Sequence, residues 1–312
     1  MLEEKNLNPL FSAQLIGLNN YFKELVEMEK KSIFPNVLML SGKKGIGKFT
    51  LVNHFINYFF SKKTYDYENK IIDLSSEIYK RQINQSFENI IYIKNDNYNA
   101  TKTEDIRNLK EIINKSTLNN MPRFIIFDDA EQLNLTSVNA LLKIIEEPTK
   151  NNFFILINNQ QKKIIDTIES RCLKIKIFLN ENERIEIIEK LLEINKNEPI
   201  LDYEKSSISP GSFLNFNYLC EKYNIDLSKN YLNNLRLVLD LYKKNKQANY
   251  IKLSEYIIDK HFNHLSEREH SKTFIYYNIK TLMLNHLNNF VKLNLSINSF
   301  FNLIKEANVH AE

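Results

Sequence analysis

Residues 37–51 read VLMLSGKKGIGKFTL, and they are the stretch from which the fold can be predicted. A short apolar run is followed by three of the chain's five glycines, Gly42, Gly45 and Gly47, and then by Lys48. An apolar strand, a glycine-rich loop and a helix in this order are typical of the motif GxxxxGK[ST], whose backbone N–H groups surround a phosphate at the helix N-terminus. We therefore predict a phosphate-binding loop here.

The residue after the lysine departs from this motif. A serine or threonine hydroxyl normally holds Mg²⁺ there, whereas this chain has Phe49. Thr50 comes one residue later, and because that means about 100° of rotation on a helix, we do not expect it to replace the missing ligand. We expect the loop to bind ATP or ADP with impaired hydrolysis; an ordinary strand–helix turn is the alternative. The predicted binding residues are Gly42, Lys43, Lys44, Gly45, Ile46, Gly47, Lys48, Phe49 and Thr50.

The composition is that of a soluble globular protein large enough for two or three domains, with 312 residues, 43% hydrophobic and 26% charged. The net charge of +4 permits contact with nucleic acid without requiring it. The polar N-terminus MLEEKNLNPL and the lack of a long apolar run predict no signal peptide and no membrane span. Two cysteines, Cys172 and Cys220, are too few for a four-cysteine zinc site, so we predict a cytoplasmic protein without zinc.

Short apolar runs alternate with amphipathic stretches over the first 180 residues. Continuous apolar runs predict strands that are buried on both faces of a parallel sheet. The amphipathic stretches between them predict helices on both faces of that sheet, which is an α/β fold. After residue 179 the pattern becomes helical, and boundaries are predicted near residues 179 and 222. The predicted strands are 37–40, 90–93, 124–127, 153–157 and 175–177.

Two carboxylates end the third predicted strand, in the stretch FIIFDDAEQLN. Asp128 comes at the carboxyl end of the strand, where it can contact Mg²⁺ or its water if a nucleotide binds. Asp129 occupies the position at which ATPases of this type usually carry a glutamate base. Because aspartate is one methylene shorter, its carboxylate is expected to fall short of an attacking water. A polar strand-to-helix corner is the alternative interpretation.

Three sequence blocks together resemble the bacterial clamp-loader subunits of the AAA+ ATPase class. They are FDDAEQLN, the following NALLKIIEEP at residues 139–148, and Ser170-Arg171-Cys172, with matching spacing between them. The resemblance covers at least residues 10–180. It implies that Arg171 acts as an arginine finger on a neighbouring subunit's ATP, although an arginine at this place would otherwise be expected only to pair locally. It also implies that Asn158 and Asn159 occupy the sensor-1 position.

The same resemblance implies a fold of three domains. The first is a P-loop AAA+ domain with a RecA-like parallel sheet at 1–179, followed by a small helical lid domain at 180–222. The third is an all-α C-terminal oligomerisation (collar) domain at 223–312.

Motor subunits of this family have features that this chain lacks. They carry an intact GK[ST], an Asp-Glu pair, a cysteine zinc module and a sensor arginine in the small domain. This chain has Phe49 and Asp129, no cysteine between residues 61 and 120, and no arginine in SPGSFLNF at residues 209–216. The pattern implies a non-motor subunit of the DNA polymerase III clamp loader, whose own ATPase is weak or absent.

The partners implied by the resemblance are those of a hetero-pentamer that loads the sliding clamp onto primed DNA in replication. They are motor subunits (tau/gamma-like), a delta-like subunit, the sliding clamp, and primer–template DNA reached through the complex. Two alternatives stay open at this point. One is an active motor ATPase that hydrolyses its own ATP, and the other is a scaffold that has lost nucleotide binding.

Overall fold

The computed structural model describes residues 7–94, 103–115, 121–146, 151–228 and 230–309. The chain forms two compact units, Met1–Leu214 and Asn215–Glu312. The division falls after residue 214, and the three-domain scheme with boundaries near 179 and 222 stays a prediction. Glu147 and Pro148, which end the stretch NALLKIIEEP, lie outside the described residues.

A five-stranded parallel sheet organises the first unit. The strands are β1 (Val37–Ser41), β2 (Ile90–Lys94), β3 (Arg123–Asp128), β4 (Asn152–Asn158) and β5 (Leu173–Lys176). They lie in the order β2-β3-β4-β1-β5, and every neighbouring pair is parallel. The first four predicted strands form as β1 to β4, whereas β5 begins two residues before the predicted 175–177 and ends one residue earlier. The α/β fold is confirmed.

Helices cover both faces of this sheet because successive strand residues point to opposite sides. Leu38 and Leu40 belong to one buried cluster, whereas Val37 and Met39 belong to the other. Burial on both sides explains why β1, β3 and β4 contain so few polar residues, whereas β5 at the edge of the sheet exposes three of its four residues. The helices of the first unit are α1 (Asn19–Lys30), α2 (Lys48–Phe60), α3 (Glu77–Ile83), α4 (Thr103–Ile113), α5 (Leu135–Glu146), α6 (Asp166–Glu169) and α7 (Glu181–Asn195).

The described part of the second unit is helical, as the sequence predicts. Its core includes Leu235, Ile258, Phe290 and Phe300, which are all buried. Within the described ranges, no helix has both the length and the apolar character that a bilayer crossing requires. The remaining helices, of which α8 begins in the first unit, are α8 (Pro210–Lys222), α9 (Tyr231–Asn245), α10 (Ala248–Arg268), α11 (Thr273–Lys292) and α12 (Ile297–Val309).

The parallel strands bring their carboxyl ends to one edge of the sheet. Ser41 at the end of β1 is paired with Asn158 at the end of β4. Asp128 ends β3, the neighbour of β4. The glycine-rich loop leaves β1 at this edge and leads into α2, so the loop, the acidic residues and the asparagines meet there, which is where open α/β sheets usually bind ligands.

Candidate functional site

The glycine-rich loop has a shape that side chains would disrupt. Gly45 and Gly47 have φ values of 83° and 97°, in the left-handed region, and Gly47 directly precedes α2. A Cβ atom on Gly42 would lie 2.3 Å from the carbonyl oxygen of Ile177. Glycine tolerates both a left-handed backbone and the close approach of another backbone atom, because it has no Cβ. The loop therefore has the backbone geometry that the motif predicts.

Lys48 is buried inside this loop. Its ammonium group donates hydrogen bonds to the carbonyl oxygens of Gly42, at 2.6 Å, and Lys43, at 2.8 Å. Burial lowers the pKa of Lys48 from 10.5 to about 8, although the nearby carboxylates of Asp128, Glu131 and Asp129 act in the opposite direction. The amine is thus held by the carbonyl oxygens of its own loop.

Asp129 is bound to a second loop lysine. The Lys44 ammonium lies 2.8 Å from the nearer carboxylate oxygen of Asp129. The same carboxylate accepts hydrogen bonds from the side chains of Asn159, at 2.7 Å, and Gln161, at 3.2 Å. Asp129 itself has a left-handed backbone, with φ of 54°. The Asp129 carboxylate is therefore engaged by three side chains of its own chain.

Two further carboxyl groups lie beside Asp129. Asp128 accepts hydrogen bonds from the Asp129 backbone N–H and the Asn159 side chain. Burial, together with the neighbouring Asp129 charge, raises the pKa of Asp128. Burial also raises the pKa of Glu131, whose carboxylate accepts a bond from the Asn159 backbone N–H at 3.0 Å. Glu131 is not among the residues predicted from the sequence, although its place in DDAE was a signal that could have indicated it.

Of Asn158 and Asn159 at the end of β4, Asn159 is the one whose side chain reaches the acidic residues Asp128 and Asp129. Asn158, which the site prediction named as a binding residue, donates to the Ser41 hydroxyl at 3.3 Å and accepts from the Gln160 N–H at 2.8 Å. The two side chains therefore serve different neighbours, and Asn159 links the end of β4 to the acidic turn after β3.

The Phe49 side chain is part of the core. It is 8% exposed, and its ring lies 5.5 Å from that of Tyr92 between centroids. Thr50 is half-buried on the same helix. The residue that replaces the usual hydroxyl is thus a packing residue, which supplies no oxygen atom to a metal.

The start of α8 contacts the loop from outside. The Ser209 hydroxyl donates to the carbonyl oxygen of Lys44 at 2.7 Å, and the Gly211 N–H donates to that of Gly45 at 2.7 Å. The Lys43 ammonium donates to the carbonyl oxygen of Ser207. These bonds join the loop to residues 207–211 without any arginine, so this segment fixes the loop through backbone groups and hydroxyls.

Arg171 lies apart from this cluster, on the connection between α6 and β5. Its Nη1 donates to the Thr167 carbonyl oxygen at 2.9 Å and the Ser170 hydroxyl at 3.2 Å. Its Nη2 lies 2.7 Å from a carboxylate oxygen of Glu146 at the end of α5. The side chain is 39% exposed. Arg171 is therefore held at the surface and is not buried within its own unit.

A family model described as "DNA polymerase III, delta subunit" matches residues 17–180, more than half of the 312-residue chain. The chain belongs to the DNA polymerase III delta subunit family. The loop, the acidic turn, both asparagines and Arg171 all lie within the matched residues. The predicted relation to DNA polymerase III clamp-loader subunits is thereby confirmed at the level of the family.

Curated relatives of this family member carry two subunit names. It is 26% identical over 196 residues to DNA polymerase III subunit delta' of Buchnera aphidicola subsp. Schizaphis graminum, covering 57% of each chain. It is 36% identical over 106 residues to subunit delta' of subsp. Baizongia pistaciae, covering 33% of this chain and 31% of that one. It is 31% identical over 159 residues to subunit gamma of subsp. Schizaphis graminum, covering 50% and 42%. The matches thus span little more than half of these relatives' lengths or less.

The residues of this delta-family chain fit a phosphate better than they fit a magnesium ion. The glycine loop has no side chains at its tight points, and Lys48 has its amine among the loop carbonyls. Phe49 provides no metal ligand, and Lys44 already neutralises Asp129. Within the described ranges, no three His, Cys, Asp or Glu side chains are grouped so that they could hold a metal ion.

Proposed function

We propose that the chain is the non-motor delta-prime subunit of a DNA polymerase III clamp loader, the complex that loads the sliding clamp onto primed DNA. In this role Arg171 acts on ATP held by a neighbouring motor subunit. The chain itself hydrolyses little or no ATP. Its proposed partners are tau/gamma-like motor subunits and a delta-like subunit in a hetero-pentamer, the sliding clamp, and primer–template DNA through the complex. The proposed compartment is the cytoplasm.

The observation that carries this proposal is the contrast between Arg171 and the chain's own phosphate loop. The Arg171 guanidinium is 39% exposed and fixed by bonds to Thr167 and Ser170. A guanidinium that reaches the γ-phosphate of another subunit stabilises the charge that develops there, and such fingers are worth roughly 10³–10⁵ in rate. Because the arginine acts across a subunit boundary, it keeps its use even when the chain's own site decays.

The loop of this chain supports a weak or absent ATPase of its own. Phe49 packs on Tyr92 where a hydroxyl would be needed for Mg²⁺. Asp129 is held by Lys44, Asn159 and Gln161, so its carboxylate has acceptor sites already in use. Activating a water would require the carboxylate to be within hydrogen-bond reach of it. The lack of a hydroxyl at position 49 and the engagement of Asp129 both impair ATP hydrolysis at the chain's own loop, and neither affects Arg171.

Nucleotide binding without turnover is part of the proposal. ATP or ADP would be held through its phosphates by the backbone of residues 42–47 and by Lys48, with the α2 N-terminus adding a favourable field. Asp128, at the end of β3, is the carboxylate that we propose to contact Mg²⁺ directly or through water. A bound nucleotide supplies negative charge that satisfies the loop N–H groups and the buried Lys48 amine.

The proposed oligomerisation region is the helical C-terminal part, residues 223–312. On α11, Phe274, Tyr277 and Leu282 expose 75%, 59% and 39% of their surface, while Phe290 on the same helix is buried. Exposed apolar side chains of this kind on one helix are typical of an association surface. The lid at 180–222 and the collar at 223–312 remain parts of the proposal.

A motor ATPase is the second candidate, because subunit gamma is among the relatives and the loop keeps Lys48 and its glycines. ATP turnover by the purified chain separates the two. We expect turnover near the uncatalysed rate. Rapid turnover that Lys48→Ala abolishes would establish the motor function instead, and a fluorescent ATP analogue that shows no saturable binding would favour a scaffold without nucleotide.

The trans role is tested in a complex reconstituted from this chain, the motor subunits and the delta-like subunit. Arg171→Ala should lower ATP hydrolysis by the complex, whereas Lys48→Ala should leave it close to wild type. The second variant is the matched control, because it removes a cation from the chain's own loop only. Equal losses in both variants, or a loss in Lys48→Ala alone, would contradict the proposed function.

A further inference from the structure

Arg171 forms an ion pair with the carboxylate of Glu146. Glu146 is the last residue of α5, and its Oε1 lies 2.7 Å from the Arg171 Nη2. Among the residues that the structure describes, the ion pair with Arg171 is the polar contact of the Glu146 side chain.

Neutral acceptors already fix the guanidinium without Glu146. The Thr167 carbonyl oxygen and the Ser170 hydroxyl both accept from Nη1, at 2.9 and 3.2 Å. These bonds orient the group and leave its positive charge intact. The Nε–H has no hydrogen-bond acceptor among the residues that the structure describes. A phosphate could thus be bound through Nε–H and Nη2 once the carboxylate has moved aside.

Unlike the neutral acceptors, the Glu146 carboxylate cancels the positive charge of the Arg171 guanidinium. A triphosphate that approaches Arg171 meets an ion pair without net charge instead of a lone cation. The two side chains are 39% and 46% exposed, so water and salt screen the pair and it exchanges easily. A pair of this kind can be displaced by a stronger anion when a partner's site closes on it.

We infer that Glu146 is an electrostatic restraint on the arginine finger: it neutralises Arg171 until a neighbouring subunit's ATP displaces it. The inference rests on the proposed function, and it adds a residue that sets how readily the finger engages. Glu146 keeps the finger from acting in loosely assembled states. Full assembly replaces the carboxylate with phosphate oxygens as partners of Nη2.

The size of the effect follows from the exposure of the pair. Exposed ion pairs change equilibria by up to about fivefold, when their measured free energies are converted to a ratio. Removing the Glu146 charge should therefore raise ATP hydrolysis by the complex by about two- to fivefold in the absence of clamp and DNA. The gain should shrink at high salt, because salt already weakens the pair in the wild type.

The test is a double-mutant cycle in the reconstituted complex, with single-turnover ATP hydrolysis as the readout. Glu146→Gln should raise the rate, and Glu146→Asp, which keeps the charge, should stay near wild type. In an Arg171→Ala background, Glu146→Gln should have no effect, because the two residues act as one unit. Glu169→Gln is the matched control, since it removes a half-buried carboxylate that is paired with Lys174 instead.

The other possible results would contradict the role of Glu146 as a restraint, and one of them would also contradict the proposed function. A lower rate in Glu146→Gln would show that the carboxylate positions the finger, and it would overturn the restraint. An unchanged rate in Glu146→Gln, or an equal rise in Glu169→Gln, would overturn it as well, while a loss in Arg171→Ala still supports the finger. If Arg171→Ala itself has no effect, the proposed function fails and the restraint fails with it.

Discussion

Replacing Phe49 by threonine restores the residue type that normally ligates Mg²⁺ at this position, and it should destabilise the first unit without creating an ATPase. The Phe49 ring is 8% exposed and packs on Tyr92. Truncating a buried phenylalanine to alanine costs about 3–5 kcal/mol. Threonine keeps two side-chain atoms beyond Cβ, so we expect a loss of about 3 kcal/mol, at the lower end of that range.

Hydrogen exchange of the full chain measures this loss of stability within the first unit. Peptides from α2 report on the first unit directly, and a loss of about 3 kcal/mol corresponds to exchange that is about a hundredfold faster when opening is global. Thr50→Ala is the matched control, because Thr50 is half-buried on the same helix and its truncation removes fewer contacts. It should change exchange only slightly.

The absence of a gained ATPase follows from the acidic turn. Even with a hydroxyl at position 49, Asp129 stays bound to Lys44 at 2.8 Å and to Asn159 at 2.7 Å. Unchanged exchange in Phe49→Thr would refute the assignment of Phe49 to the core. Magnesium-dependent ATP turnover in the same variant would refute the account of the acidic turn, since the missing hydroxyl would then be the one defect.

The other predictions concern the loop. The wild type should gain stability relative to Lys48→Met as the pH rises from 7.5 to 9.5. The reason is that the pKa of Lys48 is lowered from 10.5 to about 8 in the folded chain, so the unfolded state binds more protons between those values. Urea unfolding at both pH values measures the difference in stability between the two proteins, and a difference that does not change with pH would contradict the prediction. Gly45→Ala should destabilise by at least about 1–2 kcal/mol, since alanine must adopt the left-handed backbone and its Cβ would lie 2.9 Å from the Ser212 backbone nitrogen. Gly47→Ala should cost less, because its Cβ would meet only the tip of Leu18, at 3.2 Å; equal losses in hydrogen exchange of α2 would contradict the difference.

The sheet could be predicted from the sequence because its physical signal is local. Residues buried on both faces must be apolar, so the runs that became β1 to β4 carry no alternation and end where polar residues begin. The glycines were equally informative, since the turn between β1 and α2 needs a left-handed backbone at Gly45 and Gly47. The placement of Asp128 at the edge of the sheet followed from these two facts.

The pairing of side chains in the site could not be predicted in the same way. Lys44 and Asp129 are 85 residues apart, and two lysines face three carboxyl groups, so several pairings agree with the sequence. Asn158 and Asn159 were found together, but successive side chains leave a strand in opposite directions, and only the folded chain shows which one reaches the acids. The bonds from residues 207–211 to the loop depend on the packing of α8.

The ion pair between Arg171 and Glu146 could not be predicted from the sequence either. Both residues lie within blocks that the sequence analysis singled out, yet nothing in their spacing indicates that they meet. Their contact depends on where α5 ends relative to the connection before β5. The family could thus be identified from short motifs, whereas the charge balance around the arginine required the fold.

The central claim is tested most directly by the rate of ATP hydrolysis in the reconstituted complex with Arg171→Ala in this chain. An arginine that contacts the neighbour's γ-phosphate predicts a clear fall in that rate, with the complex still assembled and the chain still folded by hydrogen exchange. A wild-type rate in an intact complex that carries Arg171→Ala would contradict the account.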